Sequence, residues 1–115
     1  MDEAPCRIDW DTVLKAVDSR RELLSELIDL FFVEYPALLK QIRTAVAESD
    51  AAALRLAAHR LKGCLRYFGE NQAAEFALQL ELRGRDDCWE GVPEMLAGLQ
   101  TELERLLPAI RDFRP

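Results

Sequence analysis

The sequence predicts an all-α protein: an up-and-down antiparallel four-helix bundle with a short N-terminal helix. Apolar residues recur at helical spacing along nearly the whole chain, and no segment alternates with period two for long enough to indicate a strand. The predicted helices are joined by short connections, so neighbouring long helices should run antiparallel. The 115 residues are enough for one domain, 1–115, with the bundle core over about residues 19–111.

The first half of the chain predicts a short helix followed by a long one. Residues 8–17 have the pattern of the short helix, with Asp9 or Asp11 as its N-cap. The sequence SRRE at 19–22 is typical of a capping box, in which the serine accepts from a backbone amide and the glutamate reaches back. A proline in the apolar stripe that follows predicts a kink or a break near residues 33–36, because proline removes a backbone donor and crowds the preceding turn.

The second half predicts three further helices. Asp50 is a suitable N-cap for the first of them, and Gly69 is its natural end. The next helix is expected over about residues 71–83, with Gly84 as its stop. The last begins within residues 88–93, where a proline is tolerated in a first turn. It presents a heptad-like seam of apolar side chains: Val92, Leu96, Leu99, Leu103, Leu106 and Ile110.

Charge is distributed unevenly along this acidic chain. The net charge of −6 argues against general binding to nucleic acid or to anionic membranes. Residues 51–69 nevertheless hold four basic residues and no acidic one, while the other 11 basic and 21 acidic residues sum to −10. This basic segment also contains the single histidine, His59. The placement of an imidazole among cations is the feature that most needs an explanation.

Cysteine content and hydropathy indicate the cellular compartment. Cys6, Cys64 and Cys88 lack CxxC spacing, so they predict neither a disulfide framework nor a zinc site, and they fit a reducing cytoplasm. The N-terminus lacks the apolar core of a signal peptide, and no apolar run approaches the roughly 20 residues needed to span a bilayer. We therefore expect a cytoplasmic protein without membrane insertion, either free-standing or a soluble part of a larger membrane-anchored protein. The absence of an obvious second apolar stripe favours a monomer.

A helical projection indicates which way the histidine faces. At about 100° per residue from Leu54, one apolar stripe falls within roughly 40° and defines the buried side. His59 lies near about 140° in this projection and therefore faces solvent. Lys62, Arg55 and Arg66 lie at about 80°, 100° and 120°, on the face of the histidine. The buried stripe consists of Leu54, Ala58, Leu61, Leu65 and Phe68.

Three features of this face favour a functional histidine over an exposed histidine without a role. Neighbouring cations disfavour protonation and keep the imidazole of His59 neutral and nucleophilic. Gly63 lies at about 180°, away from the core, where glycine costs about 1 kcal/mol relative to alanine and clears space for another protein's surface. No acid on this face neutralises its cations within the helix, which makes Arg55 and Arg66 candidate binding residues. Such a cluster suits a transferable anion, and phosphoryl is the obvious one.

The segment AHRLKGCLRYFG resembles the H-x-L-K-G-x-x-x-x-x-G signature of histidine-containing phosphotransfer domains, the HPt modules of multistep two-component phosphorelays. The resemblance extends over most of the chain. IDWDTVLKAV looks like the family's opening short helix, and ELLSELIDLFFVEYPALLKQI looks like its first long helix pair. LQLE resembles the run that often ends in Glu or Gln on the helix beside the histidine. The signature positions are occupied by His59, Leu61, Lys62, Gly63 and Gly69.

The resemblance implies a four-helix bundle and a role for each matched residue. His59 would accept a phosphoryl group from an aspartate of one receiver domain and pass it to another. Lys62 would pair with phosphoryl oxygens, Gly63 would admit the receiver, and Glu81 would be a polar partner nearby. The implied partners are response-regulator receiver domains and a hybrid sensor histidine kinase. The implied domain has no cofactor of its own, and Mg²⁺ is expected on the partner receiver.

Other classes of function are less compatible with the sequence. The scattered glycines form neither a GxxxxGK[ST] loop nor a kinase glycine-rich loop, so autonomous kinase activity and an ATP site are not expected. One histidine with dispersed carboxylates does not make a metal site. Two alternatives remain: a non-catalytic helical adaptor that docks a receiver, and the phosphoacceptor domain of a chemotaxis-type histidine kinase. Acid-labile, base-stable phosphate on His59 would separate a carrier from an adaptor, and the identity of the donor would separate the two carriers.

Overall fold

The predicted helical bundle is confirmed by a computed structural model, which describes residues 8–113. Residues 1–7 and 114–115, and Cys6 with them, lie outside the described residues. Every regular element in the described part is helical. The elements are α1 (Trp10–Ala16), α2 (Arg21–Glu48), α3 (Ala51–Leu65) with a following 3-10 turn (Arg66–Phe68), α4 (Gln72–Asp86) and α5 (Val92–Arg111).

The long helices pack in chain order, α2 on α3, α3 on α4 and α4 on α5. Contacts between α2 and α5 close the bundle and show their relative direction. The side chain of Arg43 donates to that of Gln100, and the guanidinium of Arg111 lies over the ring of Phe32. Residue numbers therefore rise along one helix as they fall along the other, which is the antiparallel arrangement expected for an up-and-down bundle.

The interior of the bundle is apolar. Within residues 8–113, no polar or charged residue is buried. Cys64 and Cys88 are free thiols. In this same part of the chain, no helix is both long and apolar enough to cross a bilayer. The seam predicted for α5 is buried at Val92, Leu99, Leu103, Leu106 and Ile110, with Leu96 partly buried.

The first helix cap is as predicted and the second is not. The carboxylate of Asp9 accepts from the backbone N–H of Thr12, so Asp9 caps α1. The capping box at SRRE was wrong, because Ser19 has a left-handed backbone (φ 58°) and its N–H donates to the carbonyl of Leu14. Ser19 thus closes the end of α1 instead of opening α2. The N-cap of α2 is Arg20, which makes no side-chain capping bond.

A single continuous helix occupies the region where a break was predicted. α2 includes Pro36 in its interior, so the break near residues 33–36 and the pair of helices implied for this region were wrong. The kink, which was the other alternative, stays a prediction. Proline leaves the carbonyl four residues earlier without its helical partner. Because Pro36 is exposed, this gap lies on a side of α2 that water can reach. Packing of the apolar residues on both sides of the proline keeps the helix continuous.

Gly84 does not end a helix, contrary to the prediction. α4 continues to Asp86 and ends at Asp87, which has the left-handed backbone (φ 49°) that closes it. Gly84 is buried instead, and a Cβ built on it would lie 2.6 Å from the backbone nitrogen of Arg55. The glycine is needed because the backbones of α3 and α4 meet at this point.

Candidate functional site

The local sequence of α3 explains why its histidine faces outward. Asp50 caps the helix as predicted, because its carboxylate accepts from the backbone N–H of Ala53. The helical path ends at Gly69 (φ 88°), as predicted, after the 3-10 turn. The side chain of His59 is 62% exposed. The predicted buried stripe is confirmed in full, with Leu54, Ala58, Leu61, Leu65 and Phe68 all inside the core.

A carboxylate on the neighbouring helix binds the imidazole. Nδ1 of His59 lies 3.0 Å from Oε2 of Glu81 on α4. The other carboxylate oxygen, Oε1, lies 2.6 Å from Nζ of Lys62. The Glu81 side chain is only 17% exposed and that of Lys62 only 12%. One carboxylate, largely shielded from water, therefore links the exposed imidazole to a largely covered ammonium group.

The contacts with Lys62 and His59 favour the ionised form of Glu81. Burial raises the pKa of the Glu81 carboxyl, but its contacts with Lys62 and His59 lower that pKa by more, and the net result is a pKa below the usual value for a glutamate. Oε1 of Glu81 is shielded from solvent, so the ammonium of Lys62 takes the place of water at that oxygen. Glu81 is thus an ionised carboxylate at neutral pH.

The contact with Glu81 determines which ring nitrogen can react. An ionised carboxylate has no proton to donate and can only accept. Nδ1 of His59 must therefore carry the proton of that hydrogen bond. In the neutral imidazole the lone pair then lies on Nε2, the nitrogen farther from Glu81. The site accordingly presents a nucleophilic nitrogen on an exposed ring whose orientation is fixed from α4.

Gly63 lies on the exposed surface of α3, one turn after the histidine. A Cβ built at this position would meet nothing within 4 Å. The packing of the described chain therefore does not require glycine here. The position offers open space beside His59, as the helical projection indicates.

Beside the imidazole there is an open depression of about 330 Å³. Of the predicted site residues, Arg55 and Glu81 join His59 in lining it. Arg66 is exposed at the end of α3 and makes no described contact with His59 or Glu81. The complete lining is Ala52, Arg55, Leu56, His59 and Glu81.

Two features of the site were missed by sequence reasoning. Ala52 and Leu56 form an apolar part of the depression, and Leu56 is 51% exposed. An apolar residue at about 200° in the helical projection, far from the buried stripe, was an available signal for Leu56. The charge balance of Lys62 was also missed, because Glu81 reaches it from another helix and a projection of α3 alone does not contain α4.

Comparisons with known proteins bear on the family and on the fold. The sequence model of the Hpt domain family matches residues 26–111. The fold is similar to the crystal structure of histidine-containing phosphotransfer protein B from Pseudomonas aeruginosa, with a TM-score of 0.77 and 24% sequence identity. That similarity covers 96% of this chain and 100% of the other chain, and at this identity it shows the fold. A comparison with curated protein sequences gives no match.

Proposed function

Because this chain belongs to the Hpt domain family, whose members perform histidine phosphotransfer in phosphorelay signalling, we propose that His59 is the residue that carries the phosphoryl group. The observation that carries the proposal is the hydrogen bond between Nδ1 of His59 and Glu81. It leaves the Nε2 lone pair on a ring that is 62% exposed, within reach of another protein. An adaptor that only docks a partner has no need of such a bond.

The transfer step can be written with the residues in place. The lone pair on Nε2 of His59 forms the N–P bond as the P–O bond to a donor aspartate breaks, and the electron pair of that bond leaves on the carboxylate oxygen. The proton on Nδ1 stays in its hydrogen bond to Glu81. The ring becomes more positive when Nε2 is phosphorylated, and the Glu81 carboxylate stabilises that charge. Transfer to the next aspartate is the reverse of this step.

Lys62 acts in this proposal by holding Glu81. Its ammonium contacts the shielded oxygen of the carboxylate, so the second oxygen stays directed at the histidine. Direct contact between Lys62 and phosphoryl oxygens, which the resemblance implies, remains a prediction.

The proposed partners are receiver domains, which supply and accept the phosphoryl group through an aspartate. Arg55 and Arg66 are exposed on or next to α3, and neither makes an ion pair within residues 8–113. Their charge complements the acidic site of a receiver and favours encounter with it. The Mg²⁺ needed for the reaction belongs to the receiver, and this domain contributes no cofactor. We propose that the domain acts as a cytoplasmic monomer.

The test is transfer from a phosphorylated receiver to the wild-type protein and to His59→Gln. The wild type should gain phosphate that is labile in acid and stable in base, and the variant should gain none. Absence of label on the wild type across a panel of phosphorylated receivers, while the protein still binds them, would support an adaptor. Loading by a kinase catalytic domain with ATP, and by no receiver, would support the phosphoacceptor domain of a chemotaxis-type kinase.

A further inference from the structure

A phosphoryl group on Nε2 would place negative charge beside the linked side chains of His59, Glu81 and Lys62, in which the ammonium of Lys62 is already paired. Phosphate on a side chain carries a charge of about −1.5 to −2 at neutral pH and three acceptor oxygens. Lys62 is the cation that the resemblance assigns to those oxygens. Its ammonium, however, lies 2.6 Å from Glu81, and its side chain is only 12% exposed. Moving Lys62 to the phosphoryl group would leave a shielded carboxylate oxygen without its partner.

Arg55 is the cation that shares a depression with His59. It lies four residues before the histidine, and residues at this spacing are neighbours on a helix surface. Both side chains line the depression of about 330 Å³. Within residues 8–113, the guanidinium of Arg55 makes no hydrogen bond and no ion pair. Its five donors are therefore available to a ligand.

The close contact between α3 and α4 fixes the base of the Arg55 side chain. A Cβ on Gly84 would lie 2.6 Å from the backbone nitrogen of Arg55 and 2.8 Å from the carbonyl oxygen of Ala51. The backbone of Arg55 is thus packed directly against α4 at Gly84, which lies one turn after Glu81 on that helix. The same contact between helices sets the positions of Arg55 and of the carboxylate that orients His59.

Other nearby cations do not have this arrangement. Arg60 is exposed, but it lies about 100° around α3 from His59 and does not line the depression. Arg85 on α4 is paired with Asp86 through two hydrogen bonds. Arg55 is the one arginine in the lining of the depression.

We propose that Arg55 binds the oxygens of the phosphoryl group on His59, with that group seated in the depression between the two side chains. A guanidinium presents two parallel donors that match two phosphoryl oxygens, and such charge-assisted pairs are stronger than neutral hydrogen bonds. This inference rests on the proposed function, and it adds the residue that holds the transferred group.

The experiment compares the wild type with Arg55→Gln, Arg55→Lys and the control Arg60→Gln. Arg60→Gln removes the same charge from the same helix without touching the depression. Phosphoramidate is the phosphoryl donor, because a small donor reports on the site without docking of a receiver. The rate of labelling and the hydrolytic lifetime of phosphohistidine are measured, and the phosphoryl group is titrated by ³¹P NMR. Circular dichroism checks that each variant is folded.

Arg55→Gln should be labelled at least about tenfold more slowly than the wild type, a conservative figure for one lost donor at a partly exposed site. Its phosphoryl group should titrate at higher pH, because a neighbouring cation favours the dianion. Arg55→Lys should recover part of the rate, and Arg60→Gln should stay within about twofold of the wild type. The difference should shrink in 1 M salt, where the screening length falls to about 3 Å.

Equal rates and titrations for Arg55→Gln and Arg60→Gln would overturn the role of Arg55 and leave the proposed function standing. No label on His59 in the folded wild type, from phosphoramidate or from a phosphorylated receiver, would overturn both.

Discussion

Replacing Gly63 with alanine should make the domain more stable and its exchange of phosphoryl groups with a receiver slower. Gly63 lies inside α3, and an added Cβ would meet nothing within 4 Å. The variant therefore gains the full difference in helix propensity, about 1 kcal/mol, without steric loss. For 115 residues, an unfolding entropy of about 2.1 cal/mol/K per residue converts this gain into a melting temperature about 4 °C higher.

The matched control is the same substitution at Gly84. There the new Cβ would lie 2.6 Å and 2.8 Å from backbone atoms of Arg55 and Ala51, which cannot move without separating α3 from α4. Gly84→Ala should therefore lose about 1–3 kcal/mol, the usual range for overpacking. Urea unfolding of the two variants and the wild type measures both effects. With an m value of about 1–3 kcal/mol/M, the midpoint of Gly63→Ala should rise by about 0.3–1 M.

Phosphoryl transfer from a receiver tests the second part of the prediction for Gly63. A methyl group would stand where a receiver approaches His59, so Gly63→Ala should slow transfer from a phosphorylated receiver, and Gly63→Gln should block it almost completely. Labelling by phosphoramidate should change much less, because a small donor does not need the cleared surface. If both variants exchange with a receiver as fast as the wild type, close approach over Gly63 is not part of docking. If Gly63→Ala lowers the urea midpoint, the position is not open.

Three further predictions concern the linked side chains of His59, Glu81 and Lys62. His59→Gln should abolish labelling by a receiver yet keep the free energy of unfolding within about 0.5 kcal/mol of the wild type, since the side chain is 62% exposed; a large loss of stability would mean that the ring supports the fold. Lys62→Ala should slow transfer and lower the free energy of unfolding by about 1–3 kcal/mol, because a shielded oxygen of Glu81 loses its partner; unchanged transfer and an unchanged midpoint would remove Lys62 from the site. Contacts with Lys62 and His59 lower the pKa of the Glu81 carboxyl, so its contribution to stability is present above the ordinary pKa of a glutamate and is lost as the pH falls through the lowered pKa of the folded protein. The urea midpoint of Glu81→Gln should therefore depend less on pH in the acid range where glutamates titrate than that of the wild type, and identical pH profiles would contradict the ion pair.

Much of α3 could be predicted because the spacing of its apolar residues shows which side of the helix is buried. One turn of the helix repeats every 3.6 residues, so the alternation of leucine and alanine with charged residues separates the core side from the exposed side. His59 and Gly63 were placed correctly on that basis alone. Asp50 was placed correctly as a cap, and Asp9 was one of the two candidates for the cap of α1. Caps are predictable because the acceptor side chain and the backbone N–H that it binds are close in sequence.

Features that depend on a second helix could not be predicted in the same way. Serine is a residue type that often caps a helix, but the backbone N–H of Ser19 donates to a carbonyl at the end of α1. Glycine is a residue type that often ends a helix, but position 84 requires glycine because the backbone of α3 contacts α4 there. The pairing of Lys62 with Glu81 joins residues on two helices, and no projection of either helix contains the other. In each case the deciding neighbour is distant in sequence.

Pro36 lies between two segments of α2 that are anchored to different parts of the bundle. It has no N–H to donate, so the hydrogen-bond ladder of this 28-residue helix is interrupted one turn before the proline. The segment before it is anchored by aromatic packing, with Phe31 edge-on to Phe68 of the 3-10 turn. The segment after it is anchored by Ile42 and Ala45 in the core. Amide protons in the two segments should consequently exchange with solvent as separate cooperative units, and a fluctuation that frays the first need not loosen the helix pair that holds the histidine.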